Sequence, residues 1–240
     1  MRLHDLTLST IELNLALDEA LLLAPDGGDT LRFWEPETHS VVLGRSSRYH
    51  EEANTAICQQ RGVPIRRRVS GGASIVAGPG CLMYAVVLDA RERPELLDLD
   101  QAHQHVLSQM VEAIRPLHTT AAIAGTSDLT LERGGRRLKF SGNSLRRVRE
   151  RLLYHGTLLY DFELPLVDEL LQVAPRQPEY RQARDHHEFV TNLGVQPGQL
   201  KDTITAAWGA EPVTVAPASL TAAEQLVAEK YALPAWNESR

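Results

Sequence analysis

Cysteine, lysine and aromatic residues are all scarce in this chain of 240 residues. Its two cysteines, Cys58 and Cys81, cannot build a disulfide framework, which excludes a small cross-linked secreted fold. Aromatic residues make up 5%, too few for the stacking platforms that single-stranded nucleic acids need. Lys and Arg number 25 against 31 Asp and Glu, a net charge of −6, which argues against a general nucleic-acid binder. The longest apolar run, Leu82 to Leu88, is seven residues and far too short for a bilayer. The opening Met1-Arg2-Leu3-His4-Asp5 lacks the uninterrupted apolar core of a secretion signal. Neither a glycine–lysine phosphate loop, a dinucleotide fingerprint nor a nucleophile elbow is present. The expectation is therefore a cytoplasmic globular protein with no membrane and no nucleic acid among its partners. Hydrophobic residues at 43% and charged residues at 23% suit one large domain, 1–240.

The pattern along the chain alternates between helix and strand. Ser9-Thr10-Ile11-Glu12 reads as a capping box with Ser9 as the cap, opening a leucine-rich helix from Ile11 to Leu23. Leu31 to Trp34 and Ser40 to Leu43 read as short strands around the Glu35-Pro36-Glu37 turn. A helix around Glu51 to Gln60 stops at Gly62, and Pro64 blocks its continuation. Ile65 to Leu88 is β-like, broken at Ser70-Gly71-Gly72 and at Gly78-Pro79-Gly80. Asp100 to Ile114 is helical. Asp128 to Arg133 and Arg136 to Phe140 flank Gly134-Gly135, a two-residue hairpin signal, and Leu152 to Tyr160 adds a strand. Leu164 to Val173, Pro197 to Ala207, and Ala222 to Tyr231 behind the box Thr221-Ala222-Ala223-Glu224 are the closing helices. Without a strict βαβ rhythm, this predicts an α+β fold with a mixed β-sheet flanked by helices.

Basic residues gather in two places. One is Arg66-Arg67-Arg68, directly before Ser70-Gly71-Gly72; the other runs from Arg133 through Lys139 to Arg151. Clustered arginines in a net acidic chain point to a specific anionic ligand, since guanidinium forks match phosphate and carboxylate. Glycines let backbone N–H groups converge on such an anion, with Arg67 or Arg68 adding charge. Lys139 stands out among so many arginines as a compact point charge suited to an acyl or phosphoryl oxygen. Pairing across Gly134-Gly135 puts Asp128 near the same end of the hairpin, either sharing a site with Lys139 or forming a surface ion pair. His155 lies in a strand and could face a pocket. His186-His187 and the pair His103 and His105 lack the spacing and companions of a zinc set.

Taken in order, these segments resemble the lipoate–protein ligase family. The resemblance rests on Asn14-Leu15-Ala16-Leu17-Asp18-Glu19-Ala20, Val41-Val42-Leu43-Gly44-Arg45 and Arg67-Arg68-Val69-Ser70-Gly71-Gly72. Gly125-Thr126-Ser127-Asp128-Leu129, Lys139-Phe140-Ser141-Gly142-Asn143, His155-Gly156-Thr157-Leu158-Leu159 and Val190-Thr191-Asn192-Leu193 follow, so it covers nearly the whole chain. It implies the catalytic fold shared by lipoate and biotin protein ligases. It also implies a two-step reaction: lipoate and ATP, with Mg2+, give lipoyl-AMP and pyrophosphate. A lysine of an apo lipoyl domain, or of an H-protein-like acceptor, then takes the lipoyl group. By the same resemblance Arg68 and the loop Ser70, Gly71, Gly72 and Ala73 hold the intermediate, with Lys139 on its carbonyl and phosphate oxygens. Asp128 would sit near magnesium or the incoming amine. Ser141, Gly142, Asn143, His155 and Gly156 are carried over as binding residues.

The sequence departs from the family at Ala73, where a third loop glycine is usual, and at Ala77-Gly78, where a His-Asp pair is common. A small C-terminal accessory domain is expected to be absent, with a separate accessory protein as a further implied partner. Octanoyltransferases share the fold but work through a cysteine acyl-enzyme fed by acyl carrier protein. The positions nearest the implied site, Thr126, Ser127 and Ser144, are not cysteine, and Cys58 and Cys81 read as buried structural residues. Cys81 follows the Gly78-Pro79-Gly80 turn, which keeps an octanoyl or lipoyl transferase fed by acyl carrier protein as one alternative; a homologue that binds a lipoyl group without turnover is the other.

Overall fold

Leu82 to Leu88 is apolar at every position because both faces of its strand are covered. The computed structural model of the chain describes residues 1–25, 27–172, 179–181 and 184–240, without the side chain of His187. Its strands are β1 (Arg2–Asp5), β2 (Thr30–Trp34), β3 (Ser40–Leu43), β4 (Ile65–Arg67), β5 (Ile75–Ala77), β6 (Cys81–Asp89), β7 (Ala122–Ala124), β8 (Asp128–Arg133), β9 (Arg136–Val148), β10 (Arg151–Leu159) and β11 (Glu211–Pro212). Among the described residues, eight of them form one sheet in the order β11-β1-β2-β6-β10-β9-β8-β7, and β4-β3-β5 form a second. β1 runs parallel to both its neighbours, whereas β2, β6, β10, β9, β8 and β7 pair antiparallel.

The large sheet divides the core in two. Cys81, Met83, Ala85 and Val87 of β6 face the small sheet and the helices Ile11–Leu23, Pro165–Leu170 and Pro217–Leu226. Leu82, Tyr84, Val86 and Leu88 face the helices Leu99–Ile114 and Pro197–Trp208. A two-residue alternation thus feeds two cores, and the strand reads as continuous. The mixed sheet and flanking helices match the sequence expectation. Among the described residues no helix is long and apolar enough to cross a membrane.

Several local expectations shift. The first helix is capped by Thr10, whose hydroxyl accepts from Leu13 N at 3.2 Å, and not by Ser9. That helix buries polar Asn14, Asp18 and Glu19 along with its leucines, because protein surrounds it on several sides. Glu35-Pro36-Glu37 leads from the large sheet to the small one, so the strands around it do not pair with each other. The helix expected near 51–60 is two helices, Tyr49–Glu52 and Thr55–Arg61, with Asn54 capping the second. Thr221 lies inside Pro217–Leu226, whose start is set by Pro217 in its first turn. Val173, the expected end of another helix, lies outside the described residues.

Candidate active site

Lys139 reaches Asp128 because its strand carries one extra residue. Gly134 and Gly135, at φ 56° and 73°, supply the left-handed turn that joins β8 to β9. Leu129 pairs with Ser141 but Thr130 pairs with Lys139, leaving Phe140 as a bulge. Side chains alternate along a strand, so the bulge resets which face each one takes. Phe140 enters the core under Leu99–Ile114, and Lys139, Gly142 and Ser144 come to share the opposite face. There Lys139 Nζ donates to Asp128 Oδ1 at 2.7 Å, and Tyr180 Oη donates to Asp128 Oδ2 at 2.6 Å.

Across the cleft, residues 68–74 connect β4 to β5. Arg68 is buried and donates to the carbonyls of Val42, Gly71 and Ala73 at 3.2, 2.5 and 2.9 Å, and to Ser70 Oγ at 3.1 Å. Drawing carbonyl oxygens toward Arg68 leaves the N–H groups of Gly71, Gly72 and Ala73 without an acceptor among the described residues. Consecutive free N–H groups beside a buried cation make an anion-binding nest. Burial lowers the Arg68 guanidinium to about 10, with Glu52 opposing the shift, so it stays charged at neutral pH. Glu52 ties down the far end of the loop, accepting from Ser74 Oγ at 2.7 Å and from Ser47 Oγ at 2.8 Å.

The loop lies directly on Gly44, where a Cβ would stand 1.9 Å from the carbonyl oxygen of Gly72 and 3.1 Å from that of Gly71. Gly44→Ala is therefore expected to push the loop outward, at about 1–3 kcal/mol for overpacking. Amide hydrogen exchange should quicken at Arg45 in that variant, because its N–H donates to Ser70 O of the loop at 2.8 Å; unchanged exchange there would show that the loop does not rest on Gly44.

Behind the loop runs a buried polar chain. Arg32 Nη1 donates to Asp18 Oδ1 at 2.5 Å, and Asp18 Oδ2 lies 3.4 Å from His155 Nδ1. His155 Nε2 lies 2.5 Å from Ser70 Oγ. A carboxylate at Nδ1 favours the proton there, leaving Nε2 to accept from the Ser70 hydroxyl. The first helix, β2, β10 and the glycine loop are thereby joined through side chains alone.

Two connected cavities adjoin these groups. The larger, about 400 Å³, has apolar walls at Leu15, Val42 and Met83 and polar ones at Arg68, Asp128, Lys139, Ser144 and His155. The smaller, about 140 Å³, lies between Val76, Leu159, Val167, Phe189 and the buried Arg181. Ala73 to Ile75, Lys139, Gly142 and Thr157 line both. The shape suits an elongated ligand with an apolar arm and a negative centre near Lys139.

Most residues expected from sequence meet here: Arg68, Gly72, Ala73, Asp128, Lys139, Gly142, Asn143, His155 and Gly156 line the larger cavity, and Ser141 the smaller. Ser70 is fully buried behind the loop, with Gly71 beside it. Asn143 Oδ1 accepts from Tyr84 Oη at 2.5 Å and its Nδ2 donates to Ser127 O at 2.8 Å, so it fixes the segment leading into Asp128. Arg67 is the exception. It is fully buried and donates to the carbonyls of Gly44, Ser47, Trp236 and Asn237 at 2.8, 2.7, 3.0 and 2.9 Å. Adjacent strand residues point opposite ways, so Arg67 clasps the closing segment while Arg68 serves the loop.

Asp18, Arg32, Glu52 and Tyr180 went unnoticed in the sequence. The only advance signal was opposite charge inside apolar elements, Asp18 among leucines and Arg32 between Leu31 and Phe33. Both cysteines are buried, and burial pushes the Cys81 thiol up to about 12, a poor setting for a nucleophile. Among the described residues no group of three His, Cys, Asp or Glu could hold a metal ion. Magnesium would therefore fit only as an ion carried on ligand phosphates, with Asp128 as one oxygen donor.

Residues 10–207 match the family model described as the lipoyl protein ligase A/B catalytic domain. Lipoate–protein ligase 1 of Staphylococcus aureus is 25% identical over 183 residues, 75% of this chain and 52% of that protein. The chain spans about half the length, or less, of the curated relatives it matches. Among solved structures, a bi-partite lipoate protein ligase studied with its lipoyl domain, from Thermoplasma acidophilum, superposes with a TM-score of 0.86 at 22% identity, covering 99% of this chain and 95% of that one. A lipoate-protein ligase A bound with ATP gives 0.82 at 20% identity, covering 99% and 98%. At such identities the likeness is one of fold.

Proposed function

Because the chain belongs to the lipoyl protein ligase A/B catalytic domain family, we propose that it joins lipoate to ATP and passes the lipoyl group to a lysine of an apo acceptor domain. The observation that carries this reading is Lys139 at the junction of two cavities, facing a nest of free N–H groups. In the proposal the larger, apolar-walled cavity takes the acyl arm and the smaller takes the nucleoside. A lipoate carboxylate oxygen attacks the α-phosphorus and the bond to the β-phosphate breaks, releasing pyrophosphate. Lys139 leaves Asp128 for the oxygens of the mixed anhydride, and the loop amides with Arg68 hold the rest of the charge. Asp128, freed from Lys139, accepts a proton from the acceptor amine as its nitrogen attacks the acyl carbon and AMP departs. Magnesium, when bound to the phosphates, offsets charge on the leaving pyrophosphate.

The structural neighbour described as bi-partite supports extending the proposal to a separate accessory protein as a further partner. The acceptor is a lipoyl domain or an H-protein-like domain. The deciding experiment is intact-mass analysis of an apo lipoyl domain incubated with the protein, lipoate, ATP and Mg2+. A second arm replaces ATP and lipoate with octanoyl-acyl carrier protein. Lipoylation in the first arm alone, retained in Cys81→Ala and Cys58→Ala, is the expected result. Modification in the second arm, lost in either cysteine variant, would overturn it in favour of an acyl-enzyme. Pyrophosphate release without lipoylation would locate the missing function in the accessory partner. Silence in every arm would leave a binding protein.

A further inference from the structure

The arginines at the hairpin tip remain once the two cavities are accounted for. Gly135, Arg136, Arg137, Tyr180, Arg184 and Glu188 line an open cleft of about 470 Å³. Arg136 and Arg137 are exposed, and neither forms an ion pair among the described residues. Arg184 donates to the carbonyls of Tyr180, Arg137 and Glu188 at 3.0, 3.2 and 3.3 Å and lies 5.3 Å over the Phe189 ring. Carbonyls orient its charge without cancelling it. Among the described residues, Glu188 lines the cleft and Glu132 is paired in register with Arg137, while Asp185, next to Arg184 in the chain, is exposed. Arg133, anchored on Thr191 Oγ1 at 3.2 Å, makes four arginines against these three acids in a chain whose net charge is −6.

This basic tip is coupled to the site by position. Tyr180 walls the cleft and donates to Asp128 on its other side. Arg137 shares a face with Lys139, and Arg136 lies three residues along the same strand, about 10 Å away. A lysine side chain spans only a few bonds. A protein that delivers its lysine to the Asp128–Lys139 pair brings its own surface within reach of the hairpin tip.

We infer that the Arg136–Arg137–Arg184 cleft docks an acidic face of the protein that presents the acceptor lysine. The inference rests on the proposed function and adds where the partner sits. Arginine forks match carboxylates, and opposite potentials steer encounter and fix orientation. The tip side chains lie outside both cavities, so docking and lipoate activation are separable.

The test compares the wild-type protein with Arg136→Glu/Arg137→Glu, using as acceptor an apo lipoyl domain that carries acidic residues beside its lysine. Pyrophosphate release from lipoate and ATP without acceptor should stay within about twofold of wild type, because nucleotide and acyl sites are untouched. The KM for the lipoyl domain should rise about tenfold or more with little change in kcat, as expected when a steering charge is reversed. Raising salt should increase the wild-type KM and affect the variant far less, since surface charges are screened. Arg136→Gln/Arg137→Gln should fall between the two. Equal KM values at low salt would overturn the inference while leaving the ligase reading intact. A matching loss of pyrophosphate release would also overturn it, assigning the arginines to the nucleotide. If the wild-type protein makes neither pyrophosphate nor modified domain, the functional reading fails and the docking inference falls with it.

Discussion

Lys139→Ala is expected to slow lipoyl-adenylate formation by about 10²- to 10³-fold, the scale at which loss of one preorganised donor to a developing charge is felt. The argument is positional. Lys139 Nζ stands 2.7 Å from Asp128 at the point where the two cavities share a wall, and it is the lysine that the bulge at Phe140 turns toward the glycine loop. The fold should survive. Lys139's own carbonyl accepts from Thr191 N at 2.8 Å whatever its side chain is, and a partly exposed ion pair contributes about 1 kcal/mol or less. Lys139→Arg should not restore the rate. Nζ lies 3.0 Å from where a Cβ on Gly142 would be, and a planar guanidinium needs more room than an ammonium there. Single-turnover pyrophosphate release measures the loss, and thermal melting checks the fold. A rate within tenfold of wild type in a folded Lys139→Ala would remove the residue from the chemistry.

The same bulge shows where sequence reading succeeds and stops. Gly134-Gly135 marks a hairpin by local rules, and its arms bring Asp128 and Lys139 toward one end. Which face Lys139 takes is not local: one inserted residue reverses it, and only packing of Phe140 into the core selects the insertion. Arg67 and Arg68 present the same problem. A run of arginines before a glycine loop announces an anion site, but not which residue meets it, and the closing segment at Trp236 and Asn237 decides that from the far end of the chain. The mixed sheet was legible because strands and helices are written in short-range periodicity. Caps were less so: Ser9 and Thr10 are both good cap acceptors, and because the helix begins at Ile11 it is Thr10 whose hydroxyl takes the Leu13 N–H. Tyr180 carries no signal at all, since its role depends on meeting Asp128 from 52 positions away.

Arg32→Ala should produce the largest loss of stability. Arg32 is fully buried, and Asp18 is 1% exposed. Burial lowers the Arg32 pKa, and Asp18 offsets that by attraction and hydrogen bonding. Arg32 also donates to Asn14 Oδ1 at 2.6 Å and to Leu6 O at 3.1 Å, so it binds the first helix to β2. Removing it strands a carboxylate in the core, at about 3–5 kcal/mol. For a chain of this size that corresponds to a fall in Tm of roughly 6–20 °C. Arg32→Met/Asp18→Leu removes both charges and refills the volume, and should recover part of that stability; the rest stays lost because Asn14 Oδ1, Leu6 O and His155 Nδ1 lose a buried partner. Activity should not return with it. Asp18 is the group beside His155 Nδ1, and His155 holds Ser70 beneath the glycine loop, so the double variant keeps a fold whose loop has lost its support. Melting temperature and lipoate activation would then separate in one protein. If the double variant regains both, the buried chain serves stability alone and the glycine loop is held by Arg68 and Glu52 without help from the core.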